Sequence, residues 1–295
     1  MKVAITGGTG FLGKYVSELL EENNVKVVKF SRKESNDAIQ TDYSYKDLIE
    51  KLKGIDAVVH LAAKRGSQGL ISEFHDNEIM TQNLYEACHE LKIKNIIFAS
   101  TISVYSDDRR VPWDETEVPS PELMYGVSKL TCEQIGNIYN NKFGMNIKNY
   151  RLAHIFGFNE KNNYMINKFI RQGYLGKNII LNSQSYAKRE FLYARDAAEA
   201  IYLGIQAENL KGTFNIGSEE ALTNYEVAKT INKVFSPSKK LVTVIDNSPE
   251  NIHGSLMKSS RSRELLGNYS NHTFEEALIE ISSLMEDLEN VPELY

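Results

Sequence analysis

Short runs of β-branched and apolar residues alternate with amphipathic stretches through the first half of the chain. In the amphipathic stretches the apolar residues recur at spacings of three and four, which predicts helices over 12–22, 44–53, 77–91 and 123–143. Strands covered on both faces by such helices are typical of an α/β fold with a doubly wound parallel sheet. The predicted strands are KVAIT from residue 2, VKVVKF from 25, AIQTD from 38, AVVHLA from 57, NIIFAS from 95 and NIKNYRL from 146.

The alternation weakens after about residue 155. We therefore predict a first, dinucleotide-binding domain over 1–160, completed by a returning segment near 195–217. A smaller lobe over 161–295, mainly substrate-binding, is expected to follow. The predicted elements of the second half are helices over 163–175, 224–235 and 273–289 and a segment that returns to the sheet, GTFNIGS over 212–218.

The composition indicates what the chain is not expected to bind. Its 295 residues carry a formal net charge of −5 with a pI near 5.8, which argues against a nucleic-acid partner because phosphates attract a basic surface. No apolar run approaches the roughly 18 residues that span a bilayer, and a predicted strand starts where a signal peptide would lie. Cys88 and Cys132 lack metal-ligand spacing, so we expect no metal site and two buried thiols in a reducing cytoplasm.

A glycine-rich turn follows the first predicted strand. The stretch TGGTGFLG over 6–13 places Gly7, Gly10 and Gly13 at three-residue spacing where a helix begins. Glycines allow the tight turn, let backbone N–H groups approach a pyrophosphate and let the helix pack closely on the sheet. Because strand, turn, helix and second strand occur within about 30 residues, the stretch predicts the dinucleotide site of a Rossmann-type fold.

The end of the second predicted strand bears on the choice between the two nicotinamide cofactors. An acidic residue there would bind the ribose 2′-hydroxyl of NAD, whereas an Arg accommodates the 2′-phosphate of NADP. The chain has Ser31, Arg32 and Lys33 in the stretch KFSRK, so we expect NADP to be favoured over NAD. A solvated surface loop is the alternative interpretation of these charges. Asp42, after the third strand, is a candidate adenine contact or a turn residue.

Tyr125 and Lys129 form a candidate catalytic pair. They lie four residues apart in the stretch YGVSK at the start of a predicted helix, and this spacing puts both side chains on one face. A tyrosine in water has a pKa of about 10, but a neighbouring ammonium and the positive nicotinamide ring would stabilise its phenolate. The pair therefore predicts a proton donor or acceptor beside a bound dinucleotide.

Ordered motifs resemble those of the extended short-chain dehydrogenase/reductase family, of the NAD-dependent epimerase/dehydratase type that modifies nucleotide sugars. The resemblance runs from residue 1 to about residue 281. It is carried by TGGTGFLG over 6–13, DAVVHLAA over 56–63, FASTISVYS over 98–106, YGVSK over 125–129, REFLYARDAAEAI over 189–201, GTFNIGS over 212–218 and SSRSRELLG over 259–267.

The resemblance implies a role for each residue that matches a catalytic position. Tyr125 matches the general acid/base, and Lys129 matches the residue that binds the nicotinamide ribose and lowers the tyrosine pKa. Thr101, in STISVYS, matches the third catalytic position, whose hydroxyl binds the reacting substrate oxygen, and Ser103 is a neighbouring substrate contact. A strand-end hydroxyl bonded to the backbone is the alternative interpretation of Thr101.

The resemblance also implies ligand contacts. Arg189 matches the residue that binds the diphosphate of a nucleotide sugar linked to UDP or dTDP. His154 stands where the family usually has Asn, and we expect it to contact substrate. The cofactor contacts expected beside the glycines are Phe11, Leu12, Leu61, Ala62 and Ala63.

The family carries out several reactions that begin with hydride transfer at a sugar carbon, most often C4. A 4,6-dehydratase has an Asp-Glu pair directly after the catalytic Thr, whereas this chain has Ile102 and Ser103, which argues against dehydration. Ser31 and Arg32 favour an NADPH-dependent 4-keto sugar reductase. The alternative is a 4-epimerase for UDP-glucose or UDP-N-acetylglucosamine that retains NAD. A more distant alternative is a non-catalytic dinucleotide sensor.

A homodimer is the expected assembly. The predicted helices over 77–91 and 123–143 resemble those that pair across a two-fold axis in this family. No nucleic-acid or membrane partner is expected.

Overall fold

The computed structural model describes residues 1–66, 69–106, 108–160, 164–183, 186–246, 248 and 253–286. The strands are β1 (Lys2–Thr6), β2 (Lys26–Ser31), β3 (Ile39–Gln40), β4 (Ala57–His60), β5 (Asn95–Thr101), β6 (Asn146–Leu152), β7 (His154–Phe156), β8 (Ile179–Leu181), β9 (Lys188–Tyr193), β10 (Gly212–Ile216), β11 (Ala221–Thr223) and β12 (Val242–Val244). The α-helices are α1 (Phe11–Glu22), α2 (Tyr45–Lys51), α3 (His75–Glu90), α4 (Met124–Phe143), α5 (Met165–Tyr174), α6 (Ala194–Gln206), α7 (Asn224–Phe235), α8 (Ser260–Leu266) and α9 (Phe274–Glu286).

Seven parallel strands form the central sheet in the order β10-β6-β5-β4-β1-β2-β3. All six strands expected in the first half are present, which confirms the predicted parallel α/β fold. The segment over 212–218 supplies β10, which pairs with β6 at one edge of the sheet. The division of the chain into two domains stays a prediction.

The sheet is covered on both faces because successive residues of its strands point in opposite directions. Val3 and Ile5 of β1 pack in one core with residues of α1 and α6, whereas Ala4 packs in the other core with residues of α2, α3 and α4. Helix α6 was not predicted from the hydrophobic pattern. It packs closely on β6, where a side chain on Gly204 would overlap the Tyr150 hydroxyl.

A third core lies in the second half of the chain, where the strands are short. Strands β7, β9 and β11 form a three-stranded sheet, and β8 pairs with β12. Helices α5, α7 and α9 contribute Ile166, Ile231 and Leu278 to this core, in which Phe156 and Phe191 are also buried. Strands of three residues are too short to show an alternating pattern, which explains why the sequence did not predict β7, β8, β11 and β12.

Helix α4 is joined to the sheet by a buried ion pair. Glu133 accepts from Arg151 of β6 at 3.1 Å and 2.7 Å, and both side chains are almost fully buried. Glu133 also accepts from the Ser100 hydroxyl, and Arg151 donates to the Tyr105 hydroxyl at 2.7 Å. This network orients the end of β5, which carries the candidate catalytic hydroxyls, relative to α4.

The described part of the chain contains no helix that is long and apolar enough to cross a membrane. Cys88 and Cys132 are both buried and unpaired, as expected. The cytoplasmic location stays a prediction.

Replacing Glu133 by Ala should lower the free energy of unfolding by about 3–5 kcal/mol, because Arg151 would be left as a buried charge without its carboxylate. The matched control is Glu50→Ala, which breaks the exposed Glu50–Lys53 pair and should cost less than about 1 kcal/mol. Urea unfolding checks both values. Equal losses in the two variants would contradict the role assigned to the buried pair.

Candidate active site

The glycine turn between β1 and α1 brings backbone against backbone. Gly7 has a φ of 68°, in the left-handed region, and a Cβ placed on it would lie 2.9 Å from the Ala62 nitrogen. A Cβ on Gly13 would overlap the carbonyl oxygen of Gly7. Gly10 is the N-cap of α1 and provides no side-chain cap. A helix N-terminus reached through a glycine-rich turn fits a dinucleotide pyrophosphate.

The other expected cofactor contacts lie on the two sides of this turn. Phe11 and Leu12 begin α1, while Leu61, Ala62 and Ala63 directly follow β4. The Ala62 N–H donates to the hydroxyl of Thr6 at 3.2 Å, which ties the end of β4 to the end of β1. The structure therefore brings these residues together at the carboxyl edge of the sheet, where open α/β sheets bind ligands.

A hydrogen-bonded chain lies beneath this edge. His60 is fully buried, with Nδ1 2.7 Å from the Thr6 hydroxyl and Nε2 3.1 Å from the Thr81 hydroxyl. Burial and the charge of Lys129 lower the pKa of His60 to about 3, so the ring is neutral. Because Thr81 donates to the Cys132 sulfur and Thr6 accepts from Ala62, the proton of His60 belongs on Nε2.

The side chains expected at the adenosine end are engaged in local turns. The Ser31 hydroxyl accepts from the Lys33 N–H at 3.1 Å, and the Asp42 carboxylate accepts from the Ser44 N–H at 2.7 Å. Asp42 thus has the geometry of a turn residue, one of the two interpretations of its position.

Arg32 is held against helix α3. Its guanidinium forms an ion pair with Asp76 at 3.2 Å and lies 5.8 Å from the centre of the Tyr43 ring. Arg32 therefore contacts other side chains, unlike a solvated loop residue. Asp76 was not predicted from the sequence.

Tyr125 lies close to the end of β5 because Gly126 lacks a side chain. A Cβ on Gly126 would overlap the carbonyl oxygen of Ser103, in the 3-10 helix Ile102–Val104. The Thr101 hydroxyl accepts from the Ser103 N–H at 3.1 Å and donates to the Ser103 hydroxyl at 3.2 Å. The start of α4, with Tyr125, therefore packs against the strand end that carries Thr101 and Ser103.

The surroundings of Tyr125 and Lys129 determine their protonation. Burial raises the pKa of Tyr125 to about 12, and the positive charge of Arg65 opposes this shift. Lys129 is almost fully buried, its Nζ lies 4.0 Å from the centre of the Phe98 ring, and burial lowers its pKa to about 8. The expected effect of Lys129 on the tyrosine pKa stays a prediction. Arg65 is a second cation at this site that the sequence did not indicate.

The loop that carries Arg65 is fixed from two sides. The guanidinium pairs with Glu160, a buried carboxylate, at 3.3 Å. The side-chain amide of Asn77 accepts from the Lys64 N–H at 2.7 Å and donates to the Lys64 carbonyl at 3.1 Å. Arg65 was missed because its partner is 95 residues away in the chain. The only local signal was its place four residues after the expected cofactor contact Leu61.

Arg189 and His154 lie together in the three-stranded sheet. Burial and the charge of Arg189 lower the pKa of His154 to about 4, so the imidazole is neutral. Its Nε2 lies 3.4 Å from the Ser255 hydroxyl, while Arg189 donates to the Asn224 side chain and lies 5.8 Å from the centre of the Phe191 ring. An oriented guanidinium beside a neutral imidazole fits an anionic diphosphate, and the role of both residues in binding substrate stays a prediction.

A metal site is not evident in the described ranges, since no three His, Cys, Asp or Glu side chains cluster there in a way that would hold an ion.

Known proteins resemble this chain in sequence and in fold. The model of the NAD dependent epimerase/dehydratase family matches residues 3–217. The crystal structure of UDP-N-acetylglucosamine 4-epimerase from Bacillus cereus is 54% identical, with a TM-score of 0.91 over 97% of this chain and 99% of that chain. A Bacillus subtilis protein named uncharacterized UDP-glucose epimerase YtcB is 30% identical over 262 residues, 79% of this chain and 82% of that protein.

A more distant structure shares the fold. The UDP-glucuronic acid 4-epimerase from Bacillus cereus, in complex with UDP-glucuronic acid and NAD, has a TM-score of 0.84 at 24% identity, over 97% of this chain and 99% of that chain.

Replacing Tyr125 by Phe should lower turnover by about two orders of magnitude or more, because the phenol is the expected proton donor and acceptor. Cofactor affinity should change little, since only one hydroxyl is removed. Tyr45→Phe, at an exposed tyrosine of α2, is the matched control and should retain full turnover. Steady-state kinetics and a cofactor titration check both variants. A fully active Tyr125→Phe enzyme would refute the assignment.

Proposed function

The chain belongs to the NAD dependent epimerase/dehydratase family, and from this premise we propose that it is a UDP-N-acetylglucosamine 4-epimerase. The observation that carries the proposal is 54% identity, over 97% of the chain, with the Bacillus cereus enzyme of that name. UDP-glucose is the second sugar to test, because the 30% identical Bacillus subtilis protein is named a UDP-glucose epimerase.

The proposed reaction differs from the one that the KFSRK stretch favoured. That stretch favoured a reductase that consumes NADPH, with the 4-epimerase as the alternative. The comparisons support the alternative, since the relatives described above are named epimerases. The residues after Thr101 are Ile102 and Ser103, which leaves the dehydratase without its acidic pair.

We propose NAD as the retained cofactor. Its support is the NAD complex of the Bacillus cereus UDP-glucuronic acid 4-epimerase and the pairing of Arg32 with Asp76. When bound, NAD would take a hydride from the sugar carbon and return it, so the net redox change is zero. The residues that would hold it are Gly7, Gly10, Phe11, Leu12, Gly13, Ser31, Leu61, Ala62, Ala63, Tyr125 and Lys129.

The chain's own groups would move the proton and stabilise charge. Tyr125 would take the proton of the sugar 4-hydroxyl and later return it to the same oxygen, after the 4-keto sugar has turned over so that the hydride is added to the opposite face of C4. To take a proton, Tyr125 must first be a phenolate, but a phenol with a pKa of about 12 is almost fully protonated at neutral pH. The positive charge of Arg65, of Lys129 and of the nicotinamide ring is therefore needed to favour the phenolate. Thr101 would donate a hydrogen bond to the reacting oxygen.

The nucleotide diphosphate would be bound away from the reacting carbon. Arg189 supplies a charged, bidentate donor, and the neutral His154 beside it supplies a ring nitrogen without adding a second charge. We therefore propose that these residues hold the UDP part of the substrate while Tyr125 and Thr101 contact the sugar.

Incubating the purified protein with UDP-N-acetylglucosamine and no added nicotinamide cofactor tests the function. We expect an equilibrium mixture with the 4-epimer, UDP-N-acetylgalactosamine, detected by chromatography or NMR. Parallel incubations contain UDP-glucose, or a UDP- or dTDP-linked 4-keto-6-deoxy sugar with NADPH. Stoichiometric NADPH consumption with the keto sugar, without isomerisation of either UDP-hexose, would identify a reductase and refute the proposal.

We also propose a homodimer formed through α3 and α4. Helix α4 packs against α3 and carries exposed apolar side chains, namely Met124 and Ile138. Met124 and Ile138 are fourteen residues apart, so they lie on one face of α4. Burying these residues against a second copy would remove an apolar face from water.

A further inference from the structure

The end of β2 has no acidic residue, and Arg32 occupies the place from which NADP would be recognised. Its side chain is held by three groups of the protein. The guanidinium pairs with the Asp76 carboxylate at 3.2 Å, lies 3.9 Å from the Met80 sulfur and lies 5.8 Å from the centre of the Tyr43 ring. Arg32 is therefore paired with a carboxylate of the protein, at a site where both side chains are about half exposed.

The ring of Tyr43 lies beside the guanidinium of Arg32. Tyr43 is buried and has a φ of 60°, a left-handed conformation that is uncommon for an aromatic residue. Burial raises the pKa of Tyr43 to about 12, whereas a backbone hydrogen bond with Gly7 and the charge of Arg32 oppose this shift. The ring thus connects the glycine turn to Arg32, which places the Arg32–Asp76 pair beside the expected cofactor site.

Asp76 reaches Arg32 from a different part of the sheet edge. It lies in the first turn of α3, the helix that follows the loop carrying Leu61, Ala62 and Ala63. Two segments that are 44 residues apart in sequence therefore meet at the adenosine end of the expected cofactor site. The end of β2 itself lacks the acidic residue that is typical of NAD-binding proteins.

The charges around Arg32 disfavour a further anion. Arg32 and Asp76 line a cavity of about 710 Å³ together with Asp42, Asp47 and Lys51, so carboxylates outnumber cations there by one. Lys51 is occupied by Asp47 at 2.5 Å. A 2′-phosphate at Arg32 would have to displace Asp76, which breaks the ion pair, or lie beside it, where the like charges repel each other. A neutral 2′-hydroxyl meets no such repulsion, and a carboxylate is a good acceptor for it.

We propose that Asp76 is a cofactor-selecting residue, whose carboxylate supplies through Arg32 the negative charge that the end of β2 lacks and so favours NAD over NADP. This inference rests on the proposed function for its cofactor. It extends that function by assigning selectivity to a residue of α3.

Competition between the two cofactors tests the proposal without measuring catalysis. The wild-type protein, Asp76→Asn and Asp76→Asn/Arg32→Ala are each equilibrated with equal, saturating NAD and NADP at low ionic strength. After rapid gel filtration the bound nucleotides are released and quantified by chromatography. We expect the wild-type protein to hold mainly NAD, and Asp76→Asn to shift the bound ratio about tenfold toward NADP. The double variant should lose this gain.

Two controls separate a local charge effect from other causes. Glu90→Gln removes one charge from the exposed far end of α3 and should leave the ratio unchanged. Raising the salt to about 0.5 M should reduce the gain in Asp76→Asn, because exposed charges are screened. Thermal unfolding of each variant establishes that it is folded.

The proposal is overturned if the wild-type protein holds mainly NADP, if folded Asp76→Asn keeps the wild-type ratio, or if Glu90→Gln shifts the ratio equally. Selection of NAD through Asp76 without isomerisation of any UDP-hexose would refute the proposed function and leave this inference intact. Isomerisation of a UDP-hexose together with an unchanged ratio of bound NAD to bound NADP in Asp76→Asn would refute this inference and leave the proposed function intact.

Discussion

The candidate site depends on the close approach of backbone to backbone where glycine leaves no side chain between two elements. Gly7 lies against the backbone of Ala62, so the loops after β1 and β4 form one surface at the sheet edge. Gly126 lies against the Ser103 carbonyl, so α4 starts beside the end of β5. The first approach forms the turn that fits a pyrophosphate, and the second brings Tyr125 to Thr101. A Cβ on Gly7 would push apart the loops after β1 and β4, and a Cβ on Gly126 would push the start of α4 away from Ser103.

Charged side chains lie at two places in the candidate site, one near Tyr125 and one near Arg32. Near Tyr125, Arg65 and the buried Lys129 supply positive charge, and Glu160 and Asn77 hold the loop that carries Arg65. At the adenosine end, Asp76 neutralises Arg32. The side chain that favoured NADP when the strand was considered alone is thus part of an ion pair with a carboxylate of α3.

Most of the central sheet could be predicted, because its strands are buried on both faces and the helices between them are long and amphipathic. The three-residue strands could not, since strands this short show no alternating pattern. Helix α6 was missed although its buried residues recur at three- and four-residue spacing, because the sequence after about residue 155 was not expected to continue the helix–strand alternation. Gly7, Tyr125 and Thr101 could be proposed as site residues from the sequence because each belongs to a contiguous motif. Arg65 and Asp76 could not be proposed from the sequence, because each was noticed only through its ion pair with a residue far away in the chain, Glu160 and Arg32 respectively.

In the proposed 4-epimerisation, one hydride leaves C4 of the sugar and returns to C4 within one turnover. UDP-N-acetylglucosamine deuterated at C4 tests this directly, with the isomerised product analysed by mass spectrometry and NMR. We expect the product to keep the deuterium at C4 without added NADH or NADPH, because the same hydride is returned. Loss of the label to solvent, or product formation only when reduced cofactor is supplied and consumed, would contradict it.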